Sequence, residues 1–575
     1  MKKMLPHLKP YLLQILAVVV LVFVSVIADL SLPNFLSNII NYGVAEGNTG
    51  YILSTGGLML FFALISIVAT IISGFLSAKV SMGFGKKLRS VVFNQVEKFS
   101  LSEFDQFGTA SLITRTTNDI TQIQQFVMIF LRIILMAPII AIGGILMAYR
   151  KSPQMSNIIF VSIPILIILI MIIAKLAMPL SKSMQKKLDR VNLVMREKLT
   201  GIRVIRAFNT EDHEKERFEQ ANRDLTTTAM KMQRTMALLM PALMVTLNLT
   251  TVALVWLGAV QVNIGSMMVG DIIALVQYVM QIMMSFTMMS MIFIMYPRAA
   301  ASAERINQVT DTVPTIQNKA NAICGTTLKG QVEFRNVTFT YPHAEQPALH
   351  DISFATHPGE TTAIIGSTGS GKSTLINLIP RFYDVDSGSI LVDGIDVREY
   401  DQQALRAKIG YVPQKATLFK GTIGGNIRYG KNDATDEEIE YASKIAQSND
   451  FIMEKEHRYD SDISQGATNV SGGQKQRLSI ARAIVRRPEI YIFDDSFSAL
   501  DFKTDSQLRA ALKNETKNAA VIIVAQRVST IMDADQIIVL DSGEMVGIGT
   551  HHELLENCDV YKEIVSSQLS SEEMQ

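Results

Sequence analysis

Cysteine is almost missing from this sequence. Its two thiols, Cys324 and Cys558, both fall in the C-terminal half, with neither the number nor the spacing of a disulfide scaffold or a zinc site. That argues against a small oxidised module and points to a reducing setting for that half. Excess charge is missing too. The 54 Lys and Arg against 53 Asp and Glu leave a formal net charge of +1, so no broad basic surface offers itself to nucleic acid. The N-terminal MKKMLPHLKP precedes an apolar run that is too long for a signal peptide and has no convincing small-residue cleavage pattern. It reads as a retained first membrane helix. What the chain does have is apolar bulk: 48% of its 575 residues are hydrophobic, more than one soluble domain needs, which places part of it in lipid.

Six apolar stretches begin near Tyr11, Leu53, Phe126, Asn157, Ala237 and Asp271. Each is long enough to cross a hydrocarbon core of about 30 Å at about 1.5 Å per residue. The connections around Asn34 to Tyr51 and Val262 to Gly270 contain no Lys or Arg, whereas those after the second and fourth stretches are long, polar and basic. Lys79, Lys86, Lys87, Arg89, Lys98 and Arg115 lie in the first, and Lys182, Lys186, Lys187, Arg190, Arg196, Lys198, Arg203 and Arg206 in the second. The positive-inside rule then puts both termini and both long connections in the cytoplasm. Arg150 and Lys151 run against the rule and are outvoted. Few Gly or Pro interrupt the long connections, so they are expected to continue the membrane helices as levers. The last stretch carries Met280, Met283, Met284, Met288, Met289, Met291 and Met295. Flexible thioethers suit a cavity for apolar or amphipathic small molecules, although for any single Met helix packing or a lipid-facing position is the favoured reading.

After Pro297 the apolar runs stop and strands alternate with helices. Thr361 to Ile365 reads as a buried strand, followed by GSTGSGKS at Gly366 to Ser373 and a helix beginning near Thr374. This is a P-loop in its strand–loop–helix context. Gly366, Ser367, Thr368, Gly369, Ser370 and Gly371 would curl the backbone so that its N–H groups face phosphate. Lys372 would reach the β and γ phosphates, and Ser373 would ligate Mg²⁺. Downstream, IYIFDD at Ile490 to Asp495 is an apolar strand ending in carboxylates, with Asp494 placed to hold the same Mg²⁺. Between the two lies VSGGQKQR, Val470 to Arg477, whose Ser471, Gly472, Gly473 and Gln474 open another helix and offer a second anion cradle. The expected fold is a membrane all-α region of six transmembrane helices with long cytoplasmic extensions over residues 1–305, a linker over 306–324, and an α/β P-loop domain over 325–575.

Together these motifs resemble an ATP-binding cassette, and the whole chain resembles a half-transporter of the bacterial multidrug ABC exporter family. VSGGQ is similar to that family's LSGGQ signature. The resemblance implies that Tyr341 in FTYP stacks on adenine, that Gln414 in YVPQ senses Mg²⁺ and the γ-phosphate, and that Ser498 to Asp501 form the D-loop. FDQFGTASLITRTTND (Phe104 to Asp119) and GIRVIRAFNTED (Gly201 to Asp212) are similar to the two coupling connections. In such exporters two cassettes close head to tail, each ATP lying between one P-loop and the opposite signature.

Two residues depart from the family pattern. The position after the Walker B Asp, usually a Glu that acts as general base, is Asp495. One methylene shorter, its carboxylate would fall about 1.5 Å short, and misplacements near 1 Å can cost about 100-fold in rate. The switch position, usually His, is Gln526, which can donate a hydrogen bond but cannot carry a positive charge. Nucleotide binding is expected to survive and hydrolysis at this chain's own site to be impaired. The intact signature would then serve the site of a second, different half-transporter. The competing readings are a slow homodimer with Asp495 as base, a lipid or peptide exporter, and a regulatory subunit that binds ATP without pumping.

Overall fold

The computed structural model describes residues 2–326, 329–342 and 344–568, without the side chains of Lys2, Phe293 and Ile294. The chain divides into two compact units. One comprises Met1–Glu97 and Ala110–Thr312, the other Lys98–Thr109 and Val313–Gln575.

Among the described residues there are six helical spans long and apolar enough to cross a membrane, all but Thr109 in the first unit: Lys3–Val44, Thr49–Val96, Thr109–Lys151, Pro153–Thr200, Glu211–Asn263 and Val269–Asp311. At about 1.5 Å per residue, the 48 residues of the second or fourth span exceed a membrane core about twofold. The ends follow ordinary capping chemistry. Asn48 accepts the Tyr51 amide at 3.0 Å to open the second span, and Ser152 caps the fourth, with a proline at its first turn. Leu13, Leu60 and Trp256 face outward on these spans, a surface that suits lipid. Inside, small and polar residues hold the helices together, as they do where lipid removes the hydrophobic drive. A Cβ on Gly143 would come within 2.5 Å of Leu30, and one on Gly144 within 2.8 Å of Ile282. The first and second spans share the hydroxyls of Ser25, Ser66 and Thr70, at 3.2 and 2.9 Å.

One end of this bundle is closed by a polar cluster. Lys151 of the third span pairs with Asp271 of the sixth at 2.9 Å. Ser37 of the first span donates to the same carboxylate at 2.8 Å, and Asn41 accepts the Gly270 amide at 2.8 Å. The basic residue that runs against the charge bias therefore has a partner that a loop-by-loop count of Lys and Arg does not reveal.

In the second unit the strands are β1 (Val332–Phe339), β2 (Leu349–Thr356), β3 (Thr361–Gly366), β4 (Ser387–Val392), β5 (Ile395–Asp396), β6 (Ile409–Val412), β7 (Gly421–Thr422), β8 (Asp462–Ile463), β9 (Ile490–Asp494), β10 (Ala520–Val524), β11 (Gln536–Asp541) and β12 (Glu544–Gly549). They form an antiparallel sheet ordered β2-β1-β4-β5, a six-stranded sheet ordered β12-β11-β3-β10-β9-β6, and the β7–β8 pair. The middle of the large sheet is parallel. That explains why β3, β9 and β10 read as unbroken apolar runs: both faces are covered. Alternate residues divide between two cores. Ile364, Ile492 and Ile522 enter one, and Ile365, Phe493 and Ile523 the other. Because β10 lies between β3 and β9, with Val524 opposite both Ile364 and Asp494, three loops leave the same sheet edge side by side. The helix Leu101–Phe107 belongs to this unit. Its Glu103 accepts the Thr315 amide at 3.0 Å, and Asp105 accepts the Tyr383 hydroxyl at 3.0 Å.

Candidate functional site

The parallel strands aim their loops at one crevice, the place where open α/β sheets bind ligands. From β3 the chain turns at Gly366, where a Cβ would lie 2.1 Å from the Leu540 carbonyl oxygen and 2.6 Å from Ser370 Oγ. Only a hydrogen fits there. Gly369 and Gly371 adopt φ of +86° and +97°, the left-handed region that glycine enters without penalty. Ser367, Thr368 and Gly369 are exposed on the loop while Ser370 is buried beneath it. The helix Lys372–Leu378 starts directly from the loop.

Lys372 Nζ donates to the carbonyls of Gly366 and Ser367 at 2.9 and 2.6 Å. Burial holds its pKa below that of an ordinary lysine, against the pull of Asp495 and Asp494. Ser373 Oγ donates to Asp494 Oδ1 at 3.0 Å. Burial raises the Asp494 carboxyl above the usual range, opposed by that bond from Ser373. Tyr341 and Thr374 share a hydrogen bond at 3.1 Å between their hydroxyls, and the Tyr341 ring stands edge-on to Phe339 and Tyr383.

Asp495 is the convergence point. Its backbone sits at φ 46°, a conformation that Asp tolerates better than most residues, and its amide donates to the Val524 carbonyl at 2.9 Å. Its Oδ2 accepts Gln526 Nε2 at 2.8 Å and Gln414 Nε2 at 3.3 Å. Burial raises this carboxyl as well, against the bonds from Gln414 and Ser498.

The P-loop, Asp494, Asp495, Gln414 and Gln526 are thus gathered at one sheet edge. Ser471 and Gln474 instead bond to each other, as a capping box opening the helix Gly472–Ile484. Gly472 and Gly473 form that helix's first turn, and a Cβ on Gly473 would lie 3.2 Å from the Ala499 carbonyl. Sequence reasoning missed Gln568, whose side chain contacts the switch loop from 42 residues away. No local pattern announces such a contact.

The donor set fits a nucleoside triphosphate with a divalent cation. A curled loop, an ammonium group and a hydroxyl bonded to a carboxylate occupy one crevice. Ser373 and Asp494 supply oxygen donors of the kind Mg²⁺ takes, an ion that keeps water and phosphate ligands.

Family models agree with this geometry. Residues 15–286 match the ABC transporter transmembrane region and residues 349–498 the ABC transporter model. An uncharacterized ABC transporter ATP-binding protein of Mycobacterium tuberculosis is 42% identical over 98% of this chain and 97% of its own length. The chain belongs to the ABC transporter family. It is a half-size ABC exporter, six membrane spans followed by one ATPase cassette. A Bacillus subtilis protein whose name assigns it multidrug export is 31% identical, with 99% of each chain covered. An ATP-dependent lipid A-core flippase of Vibrio vulnificus is 30% identical over 98% of this transporter and 96% of its own length. The solved structure of a bacterial Atm1-family ABC exporter with ATP bound superposes with a TM-score of 0.81 at 26% identity, covering 97% of this transporter and 99% of that chain.

Proposed function

We propose that this half-exporter moves amphipathic compounds outward across the bacterial cytoplasmic membrane as one half of a heterodimer, and that its own site binds ATP but cleaves it slowly. Asp495 carries the reading. A general base must reach the attacking water. The Asp495 carboxylate is one methylene shorter than Glu, and the two carboxamides that orient it, from Gln414 and Gln526, both bond to Oδ2. Gln526 adds no positive charge to the site. Binding is a separate matter. Lys372 and the loop Gly366 to Gly371 would hold the phosphates, with Tyr341 and Thr374 beside the base, and Ser373, Asp494 and Gln414 would hold Mg²⁺, which neutralises charge on the phosphates. Ser471 to Gln474 would serve the partner's ATP.

The multidrug and lipid-flippase names of two relatives, together with the methionines of the sixth span, support an apolar or amphipathic substrate met within the bilayer. The flippase relative also keeps lipid export open as a second reading. Both termini and the cassette would face the cytoplasm, in line with the distribution of Lys and Arg.

The test is to purify the chain alone and together with the product of the adjacent open reading frame, and to measure drug-stimulated ATP hydrolysis. The expected result is partner-dependent turnover that barely responds to Asp495→Asn and is lost when the partner's own Glu is replaced. Vigorous stimulated hydrolysis by the chain alone would sink the heterodimer. ATP-dependent accumulation in inverted vesicles, assayed separately with an amphipathic dye, a labelled lipid and a peptide, distinguishes pumping from a regulatory role and identifies the substrate class.

A further inference from the structure

The switch loop leaves β10 after Val524 and closes in the short turn Val528–Thr530. Its flanking backbone bonds run from the Ala525 amide to Ile364 O at 3.1 Å and from the Thr530 amide to Arg527 O at 3.2 Å. Between them, one side chain from the C-terminal helix Asp559–Gln568 brackets the loop. Gln568 Nε2 donates to the Gln526 carbonyl at 2.8 Å, and Gln568 Oε1 accepts the Val528 amide at 2.9 Å. A carboxamide that donates to one residue and accepts from the next but one imitates a strand partner, and it holds both peptide units around Arg527.

The helix is seated to do this. Tyr561 and Val565 are fully buried in the same core as Val528, and Gln568 continues their i, i+4, i+7 stripe toward the loop. The Tyr561 hydroxyl is anchored at 2.7 Å to His551 Nδ1. Gln526 in turn reaches Asp495 at 2.8 Å. A continuous run of short contacts therefore joins the helix Asp559–Gln568 to the two residues at which this cassette departs from the family pattern.

We propose that Gln568 is a positioning residue for Gln526: it fixes the switch-loop backbone so that the Gln526 carboxamide stays on Asp495, and it acts on ATP cleavage without touching nucleotide. The proposal rests on the reading of Gln526 as a residue that acts on bound ATP. Removing the bracket frees the peptide units on both sides of Arg527, while the P-loop, Ser373, Asp494 and Tyr341 keep their own partners. Cleavage should fall and nucleotide affinity should not.

The experiment uses the full-length chain assembled with its partner half-transporter in lipid nanodiscs, the partner's own catalytic Glu replaced, with protein in excess over radiolabelled ATP so that slow single turnovers at this chain's site are read. Gln568→Met keeps the stem without its hydrogen bonds, and Gln568→Ala removes both. Each is expected to slow cleavage about 5- to 10-fold with the Kd for ATP changed less than about 2-fold, and to add no further loss in a Gln526→Ala background. Amide exchange provides a second readout: Val528 should exchange at least about 10-fold faster in both variants while Val565 is unchanged. A Val528 amide that stays protected, a shift in ATP affinity in place of rate, or equal losses with and without Gln526 would each overturn the proposal. Unchanged cleavage in Gln526→Ala alone would overturn the reading of Gln526 and with it the effect on rate, while Val528 exchange would still decide the structural link.

Discussion

Asp495 and Asp494 are neighbours on one strand end, yet their environments differ. Asp494 takes a hydroxyl donor from the helix that follows the P-loop, whereas Asp495 takes amides from two separate loops. If reach limits the second carboxylate, Asp495→Glu should speed single-turnover cleavage by this chain about 10- to 100-fold, measured as phosphate release with protein in excess; no change would show that the limit lies elsewhere. The raised pKa of Asp494 also has a direction that can be measured. The protonated acid is a poor cation ligand, so Mg²⁺-dependent nucleotide affinity should decline on acidification at a higher pH than an ordinary carboxylate would cause. Titrating fluorescent ATP with and without Mg²⁺ across pH tests this, and Asp494→Asn should abolish the Mg²⁺-dependent increment.

The helices His551–Asn557 and Asp559–Gln568 are tied by a buried pair, His551 with Tyr561. Burial lowers the His551 pKa, as does neighbouring His552. The folded chain therefore favours neutral imidazole, while the unfolded chain takes up its proton near pH 6.5. The stabilisation is complete above that unfolded value and is lost as pH falls from it through the lowered folded value. Thermal unfolding of the full chain should show a midpoint that drops between about pH 7 and pH 5.5, and His551→Gln should flatten that slope. A slope unaffected by the substitution would assign the pH dependence to other groups.

Across the membrane unit, the first, third and sixth spans meet at Lys151, Asp271, Ser37 and Asn41. Both charged side chains are largely shielded, 18% and 17% exposed. Lys151→Met would leave the Asp271 carboxylate short of its strongest partner and should cost about 1–3 kcal/mol, read as a lower unfolding temperature in detergent. Lys151→Met with Asp271→Leu should recover much of that loss, since removing both charges leaves none unpaired. A double variant no better than the single would mean that packing matters more than the pair.

The six spans, the P-loop and the strand ending in Asp494 were legible from the sequence because each depends on local chemistry. Apolar length answers to the bilayer, the glycines to a backbone that curls, and unbroken Val and Ile runs to strands covered on both faces. The two departures, Asp495 and Gln526, were readable as residue types at motif positions. That they share one oxygen's hydrogen bonds with Gln414 was not. β9 lies between β10 and β6, and this strand order brings together residues that lie 31 and 81 positions apart. The partner of Lys151, 120 residues away, and the bracket from Gln568 were likewise decided by tertiary structure alone. A hydrogen bond is satisfied by whatever the packed core delivers to it, and only the folded chain specifies which residue that is.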